Sequence, residues 1–433
     1  MSPFGPYARN AMHSPRKVAA SAACSLLVAL GGSGALAGTA AAAPAPATAD
    51  HCPLRYAPAA NPVDTPGPEP LPVPNPPVGG DALGSCDFVA APDAPPLPGG
   101  VDAQGWMISD VNTGEVIAAH DAHGRYRPAS VIKVLLALVA LDELDMNKTV
   151  VALQEDEDII GSRVGVGPHG TYSIHTVLQG LMMASGNDTA NMLAREMGGV
   201  PATLDKMNAK AHSLGALDTR AATPSGLDGP GMSSSPYDMS LIFRAALQNP
   251  TFRELVSAPE VFFPGYPKDP NDPADYDRPG FVLTNDNGML YNYPGAIGGK
   301  TGFTDAARHT YVGAADRDGR TLQVTMMGGE LTSVRPWQQA TYLLDWAFAQ
   351  PAGVSVGTLN QPEPEPAVEL AALPPSNPAP AETNTAATAE LTEAAAQSSD
   401  TGVRAGVVTT GVGVVLALLG AAWMQKRRHD HRG

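Results

Sequence analysis

The sequence has few cysteines, few aromatic residues and few basic residues, and each shortage excludes a class of protein. Its 433 residues include only three cysteines, too few for a disulfide-rich scaffold, and their spacing does not match a structural zinc site. Only 9 Phe and 4 Trp accompany 42 Pro and 45 Gly, so much of the chain lacks the large side chains that fill a core. The 27 Lys and Arg residues against 43 Asp and Glu give a net charge of −16, which disfavours nucleic-acid binding. We therefore expect one folded domain with long tails, no metal, no cofactor and no nucleic-acid partner.

The start of the chain has the pattern of a secretory signal peptide. A polar stretch with three basic residues over 1–17 precedes an almost uninterrupted run of Ala, Leu, Val and Gly over 18–36. Small residues then allow cleavage after Ala37, or as late as Ala43, so we predict a signal peptide over 1–37 with an uncertain end. A retained transmembrane helix is the alternative.

The other end of the chain has the pattern of a membrane anchor. Residues 405–424 carry no charge, and a basic tail follows at once over 425–433. About twenty apolar residues span a hydrocarbon core, and flanking basic residues mark the cytoplasmic side. We therefore predict a single-pass protein of the cell membrane with its folded domain on the extracytoplasmic face. A buried core helix is the alternative for this segment.

Two proline-rich segments flank the remaining part of the chain. Residues 44–86 favour extended polyproline conformation, which predicts a spacer, and residues 351–404 are rich in Pro, Ala and acidic side chains, which predicts an extended stalk. Cys52 and Cys86 bracket most of the first segment and are the cysteines left after signal removal. In an oxidising compartment they are expected to form a disulfide, with two free thiols as the alternative.

Residues 87–350 have the patterns of one α+β domain. Apolar segments flank the turn residues Asn112-Thr113-Gly114, and others flank 316–319, so each predicts a β-hairpin. The segment after Pro336 has a helical period. Strands at both ends with helices between them predict an antiparallel sheet with a helical insert. The predicted internal helices are 131–144, 176–183, 189–197, 201–214 and 236–247, the last capped by Ser235.

Ser130 and Lys133 form a candidate nucleophile and base. They lie three residues apart at the start of an apolar helix, in RPASVIKVLLALVAL, so both side chains project from one face of its first turn. A serine hydroxyl is a poor nucleophile until a nearby group accepts its proton, and an amine that has lost its own proton can do this. Alone the spacing is weak evidence, because a capping Ser beside a solvated Lys gives the same pattern.

Two further motifs complete an ordered set. Ser185-Gly186-Asn187 follows the first pair by about fifty residues, and Lys300-Thr301-Gly302 lies more than a hundred residues beyond it. This order is that of the penicillin-recognising serine acyl enzymes. With ASGNDTANMLA, TPSGLDGPGMSSSPYDMS and GGKTGFTDAARHTYVGAA, residues 100–350 resemble the low-molecular-mass penicillin-binding proteins that act as D-alanyl-D-alanine carboxypeptidases, most of all actinobacterial members. The resemblance implies the serine β-lactamase and transpeptidase fold, a five-stranded antiparallel sheet flanked by helices with a mostly helical second lobe.

The resemblance also implies roles for the residues of the first two motifs. Ser130 would be the acylated nucleophile and Lys133 its general base. Ser185 would pass a proton to the leaving amine, and Asn187 would bind the backbone amide of the substrate.

The third motif and a distant arginine would bind the end of the substrate. Lys300 would supply positive charge and Thr301 a hydroxyl to the terminal carboxylate, with Gly302 completing the motif. The backbone amides of Ser130 and Phe303 would form the oxyanion hole. Arg335 matches an arginine that holds the carboxylate in this family, with a solvated residue at a helix start as the alternative.

The implied function is removal of the terminal D-Ala from peptidoglycan stem peptides through an acyl-enzyme, with β-lactam antibiotics as inhibitors. Three alternatives share the pattern: a β-lactamase, an endopeptidase that cuts peptide cross-links, and a non-catalytic anchored wall-binding protein. Two histidines, His120 and His123, lie three residues apart in a loop, and we expect both at the surface without a metal.

Overall fold

The computed structural model describes residues 51–62, 66–330 and 334–359. The predicted signal peptide, residues 360–404 of the predicted stalk, the apolar segment 405–424 and the basic tail lie outside the described residues. Within the described ranges, no helix is both long and apolar enough to cross a membrane.

The centre of the fold is an antiparallel sheet, as the sequence predicts. Two hairpins supply four of its long strands, joined at the turns predicted from Asn112-Thr113-Gly114 and from residues 316–319. The five long strands are β2 (Gly105–Asp110), β3 (Glu115–His120), β8 (Ala296–Thr304), β9 (Arg308–Arg317) and β10 (Arg320–Gly329). They lie in the order β3-β2-β10-β9-β8. Two strands of two residues each, β1 (Phe88–Val89) and β11 (Gly357–Thr358), pair with β3 and extend the sheet beyond five strands.

Helices cover both faces of this sheet, so the sheet separates two cores. Successive side chains of a strand point to opposite faces, and Met107 accordingly packs in one apolar cluster while Ile108 packs in the other. The last helix packs on the Ile108 face, and most of the other helices pack in the Met107 cluster. The nine described helices are α1 (Lys133–Glu143), α2 (Gln154–Glu157), α3 (Ile174–Met183), α4 (Asn187–Glu196), α5 (Val200–Leu214), α6 (Pro236–Leu247), α7 (Pro250–Ser257), α8 (Met289–Asn292) and α9 (Pro336–Phe348).

Local capping chemistry sets several helix boundaries. The hydroxyl of Ser235 accepts a 3.1 Å hydrogen bond from the amide of Asp238, so the predicted start of α6 at Pro236 is confirmed. Two small two-stranded sheets were not predicted, because strands of three or four residues are too short to show a period, and the eight-residue helix α7 was not predicted either. These sheets pair β4 (Thr149–Val151) with β5 (Thr171–Ser173), and β6 (Glu260–Phe263) with β7 (Phe281–Thr284).

The first proline-rich segment packs on the domain over its described residues, which differs from the expected spacer. A disulfide joins Cys52 to Cys86, and the Leu83 side chain is 1% exposed within the apolar core. An extended proline-rich chain makes no internal backbone hydrogen bonds, so its carbonyls are free to accept from the domain. Arg125 and Arg127 are two of the side chains that donate to them.

A cluster of charged side chains lies under this segment, and the partly buried His123 within it corrects the expectation that this histidine is a surface residue. Its Nδ1 lies 2.8 Å from Asp218 Oδ2, and its Nε2 lies 3.0 Å from the carbonyl oxygen of Val78. Both partners only accept hydrogen bonds, so both ring nitrogens must carry a proton and the ring is charged. Arg125 donates to the other oxygen of Asp218 at 3.2 Å. The proline-rich segment covers a histidine that its local sequence would leave exposed.

Candidate active site

The Ser130 side chain lies on a 3-10 turn, Ala129–Ile132, that leads directly into α1 at Lys133. The turn is anchored from the sheet, because the Thr310 hydroxyl on β9 donates a 2.8 Å hydrogen bond to the carbonyl of Pro128. Ala129 has a positive φ of 47°, a strained conformation for a residue other than glycine. The strained turn therefore presents Ser130 between the sheet and the helical lobe.

The Lys133 amine has three oxygen neighbours. Its Nζ lies 2.8 Å from Ser130 Oγ, 2.8 Å from Asn187 Oδ1 and 2.6 Å from the carbonyl oxygen of Ser225. The last two oxygens only accept hydrogen bonds. A neutral amine has two hydrogens and one lone pair, so donating to these two oxygens points its lone pair at the hydroxyl of Ser130. The arrangement suits a base that accepts the hydroxyl proton.

The electrostatics favour the neutral form of this amine. Lys133 is 0% exposed, and burial, followed by the positive charge of Lys300, holds the pKa of Lys133 well below its usual 10.5. The carboxylates of Asp188 and Asp286 oppose this shift without reversing it. Burial also lowers the pKa of Lys300, against the opposing charge of Asp286.

The second motif brings Ser185 and Asn187 to the same place. The Asn187 amide nitrogen Nδ2 donates a 2.8 Å bond to the carbonyl of Ile160, which fixes its oxygen toward Lys133. The neighbouring Asp188 is fully buried. Its carboxylate accepts bonds of 3.1, 2.8 and 3.3 Å from the amides of Val164, Gly165 and Val166. Asp188 therefore secures the loop on which Asn187 depends.

The third motif lies on β8, beside the nucleophile turn. Lys300 is fully buried, and its Nζ donates a 2.8 Å bond to the carbonyl of Thr301. The Thr301 hydroxyl donates a 2.9 Å bond to Asp286 Oδ2. A Cβ atom at position 302 would lie 2.3 Å from Thr310 Oγ1 and 2.9 Å from the amide nitrogen of Ser130. Glycine at this position therefore permits the close approach of β8 to Ser130.

A cavity of about 530 Å³ joins these groups and opens to solvent. Ser185, which is 7% exposed and has a positive φ of 59°, lines the same cavity as Ser130. Phe303 and Arg335 are exposed at its wall. Within the described residues, the guanidinium of Arg335 makes no ion pair. Six of the nine residues singled out by the sequence line this cavity. Of the other three, Lys133 and Lys300 hydrogen-bond to lining residues, and Asn187 contacts Lys133.

Some residues of the cleft were missed by the sequence analysis. The Ser225 carbonyl is a backbone atom and has no side-chain signature, although it lies in the quoted segment TPSGLDGPGMSSSPYDMS. A Cβ at its neighbour Gly226 would lie 2.0 Å from the carbonyl oxygen of Ala129, so this glycine is sterically required. Asp188 lies in the segment ASGNDTANMLA, but the sequence pattern indicates no role for it. Asp286 belongs to no recognised spacing.

Comparisons with known proteins agree with this geometry. A family model described as D-alanyl-D-alanine carboxypeptidase matches residues 90–330. The D-alanyl-D-alanine carboxypeptidase DacB2 of Mycobacterium tuberculosis is 48% identical over 268 residues, which cover 61% of this chain and 88% of the relative. The carboxypeptidase of Streptomyces sp. strain K15 is 27% identical over 264 residues, which cover 58% of this chain and 88% of that relative.

Solved structures give the same result. A crystal structure of a D-alanyl-D-alanine carboxypeptidase from Mycobacterium tuberculosis superposes with a TM-score of 0.58 at 46% identity, over 62% of this chain and 99% of that chain. The crystal structure of the Streptomyces K15 DD-transpeptidase superposes with a TM-score of 0.54 at 27% identity, over 59% of this chain and 100% of that chain. The expected penicillin-binding fold is confirmed.

The chain belongs to the D-alanyl-D-alanine carboxypeptidase family of serine peptidases. It is therefore a hydrolase of the serine carboxypeptidase type with a penicillin-binding fold, and the activity predicted from the three motifs is confirmed at this level.

Proposed function

We propose that Ser130 is the acylated nucleophile of this carboxypeptidase and that Lys133 is its general base. The observation that carries the proposal is the 2.8 Å contact between Lys133 Nζ and Ser130 Oγ, with two acceptor oxygens directing the lone pair of the amine. The hydroxyl oxygen attacks the carbonyl carbon of the penultimate D-Ala of a peptidoglycan stem peptide, and its proton passes to Lys133. A serine ester then forms as the terminal D-Ala leaves.

The remaining motif residues support the transfer of charge and protons. Ser185 passes the proton to the leaving nitrogen, and Asn187 binds the substrate backbone. The amides of Ser130 and Phe303 donate to the oxyanion, where one donor contributes a factor of about 10² to 10³ in rate. A water molecule then attacks the ester, with Lys133 accepting its proton, and the shortened peptide is released.

Recognition of the substrate terminus requires positive charge in an acidic protein. Lys300 and Arg335 supply it, the Thr301 hydroxyl donates a hydrogen bond to the terminal carboxylate, and Gly302 lets this edge of β8 approach the substrate. β-Lactam antibiotics, which also carry a carboxylate, acylate the same serine.

The nucleophile is tested by replacing two serines of the same cavity. The parent protein is expected to bind labelled penicillin covalently and to release D-Ala from a pentapeptide ending in D-Ala-D-Ala, whereas Ser130→Ala does neither. Ser162→Ala is the matched control, because Ser162 lines the cavity but is not among the residues that hydrogen-bond to Lys133 within the described ranges, and it should keep both activities. Labelling of Ser130→Ala at the parental level would contradict the proposal.

The cellular location is proposed on the sequence alone. An exported chain with a signal peptide over 1–37 and an anchor over 405–424 would hold the enzyme at the extracytoplasmic face of the cell membrane, where stem peptides are found. The full chain should sediment with membranes and be accessible to protease added outside the cell. A variant ending at residue 404 should be released, and its retention in the membrane fraction would contradict the anchor.

A further inference from the structure

The cavity that holds Ser130 also contains a carboxylate with no role in the mechanism described above. The Asp286 side chain is exposed and lines the same cavity as Ser130 and Thr301. Its Oδ2 accepts a 2.9 Å hydrogen bond from the Thr301 hydroxyl. This is the hydroxyl proposed to bind the terminal carboxylate of the substrate. In the free enzyme, Asp286 therefore takes the hydrogen bond that the substrate would use.

The two carboxylates cannot share this donor. A threonine hydroxyl has one hydrogen to donate, and an ionised carboxylate only accepts. When the substrate carboxylate takes the bond from Thr301, Asp286 loses it, and two negative groups then lie on either side of one hydroxyl. Like charges at such a separation repel, and more strongly in a partly desolvated cleft than in water.

The nearby cations do not remove this conflict. Lys300 is fully buried and donates to the carbonyl of Thr301 itself, while Arg335 is exposed at the cavity wall. Both attract the incoming carboxylate, whereas Asp286 repels it from the same cavity. A second carboxylate of the cavity wall, Glu330, is paired with Arg308, so the strength of carboxylate recognition depends on the two cations and on the charge of Asp286.

We propose that Asp286 is a specificity-determining residue that weakens recognition of a free C-terminal carboxylate. The enzyme then discriminates only modestly between acyl donors that end in a carboxylate and donors that end in a neutral group. This inference rests on the proposed roles of Ser130 and Thr301, and it adds the class of donor that the cleft accepts.

The experiment compares two peptides that differ in one group. One ends in D-Ala-D-Ala and the other in D-Ala-D-alaninamide, and kcat/KM is measured for each with the parent and with Asp286→Asn. Asparagine keeps a carbonyl oxygen for Thr301 but removes the charge. We expect the ratio of carboxylate to amide donor to rise by about ten-fold through faster turnover of the carboxylate donor.

Two further variants make the result specific. Asp286→Ser removes both the charge and the carbonyl oxygen, and it should raise the ratio in the same direction. Asp305→Asn removes a charge from an exposed position in the turn after β8 that does not line the cavity, and it should leave the ratio unchanged.

The outcomes separate this inference from the proposed function. The inference alone is overturned if the parent is active and neither Asp286 variant changes the ratio of kcat/KM between the two donors. It is also overturned if the variants lower kcat/KM equally for both donors. A parent that cleaves only the carboxylate donor also contradicts it, because the parent is then strictly dependent on the carboxylate. A parent that releases no D-Ala and binds no penicillin overturns the proposed function, and the inference with it.

Discussion

Two parts of this molecule enclose basic side chains away from solvent, and the partners of these side chains differ. In the catalytic cleft, Lys133 contacts the neutral oxygens of Ser130, Asn187 and Ser225. Under the proline-rich segment, His123 and Arg125 both contact the carboxylate of Asp218.

The consequence for the pKa values is opposite in the two places. Burial lowers the pKa of both basic groups. In the cleft the carboxylates of Asp188 and Asp286 do not reverse the effect of burial, and the charge of Lys300 lowers the pKa of Lys133 further. For His123, the hydrogen bond and charge of Asp218 outweigh burial, and the pKa of the imidazole is raised. The partner, and not burial alone, decides whether a buried base becomes a reagent or a structural ion.

Removal of the cleft amine is expected to have the largest effect. Lys133→Met keeps an unbranched side chain in the cleft but removes the base, so kcat/KM for D-Ala release should fall by about 10³-fold or more. Lys133→Arg should not restore activity, because a guanidinium does not lose its proton in proteins. The rate of acylation by labelled penicillin measures the same step. Parental rates in either variant would show that the buried amine is not the base.

Removal of the structural arginine should instead act on stability. Arg125→Met leaves Asp218 buried with one donor fewer and removes three hydrogen bonds to carbonyls of the proline-rich segment, so the free energy of unfolding in urea should fall by about 3–5 kcal/mol. The rate of penicillin acylation per folded molecule should stay close to that of the parent. Arg253→Met, at an exposed position on α7, is the matched control, and a change of about 0.5 kcal/mol or less is expected there. If both substitutions lower the free energy of unfolding equally, Arg125 does not have the structural role that distinguishes its region from the catalytic cleft.

The features that depend on residues close together in the chain were predictable from the sequence. Ser130 and Lys133 share a helical turn, and turn residues between alternating apolar segments define the two hairpins, so neighbours in the chain carry the information. The capping of α6 by Ser235 is local in the same way.

The part that depends on long-range contacts was not predictable. Arg125 meets the carbonyl of Leu71 only after the chain folds back across more than fifty residues, and composition alone predicts a free spacer. The carbonyl of Ser225 belongs to the backbone and has no residue type to mark it. Asp286 comes close to Thr301 because β8 lies beside the loop after β7, which no spacing rule anticipates.

Substitution of the buried Asp188 tests the electrostatics of the cleft further, and its expected effect on activity is smaller than that of replacing Lys133. In Asp188→Asn only one side-chain oxygen remains to accept from the three loop amides, so the loop that holds Asn187 loosens and kcat/KM should fall by about ten-fold. The charge that opposes the fall in the pKa of Lys133 is also lost. Activity, which requires the neutral amine, should therefore persist to lower pH than in the parent.

The pH profile of kcat/KM measures both effects of Asp188→Asn, through its plateau and its acid limb. Asp205→Asn, exposed on α5, is the control and should leave the profile unchanged. An acid limb that stays in place or moves to higher pH would show that Asp188 does not act on Lys133 through its charge.

The smallest expected effect is the pH dependence of stability carried by His123. Because its pKa is raised in the folded state from 6.5, the stabilisation is complete below about pH 6.5 and is lost as pH rises through the raised value. The difference in free energy of unfolding between the parent and His123→Gln should therefore be larger by about 1 kcal/mol at low pH than at high pH. His212→Gln, exposed on α5, should show no such trend. Activity and this stabilisation then change in opposite directions with pH, since deprotonation activates Lys133 and weakens His123. A difference that is constant with pH would mean that the imidazole is not charged and that Asp218 does not distinguish the two regions.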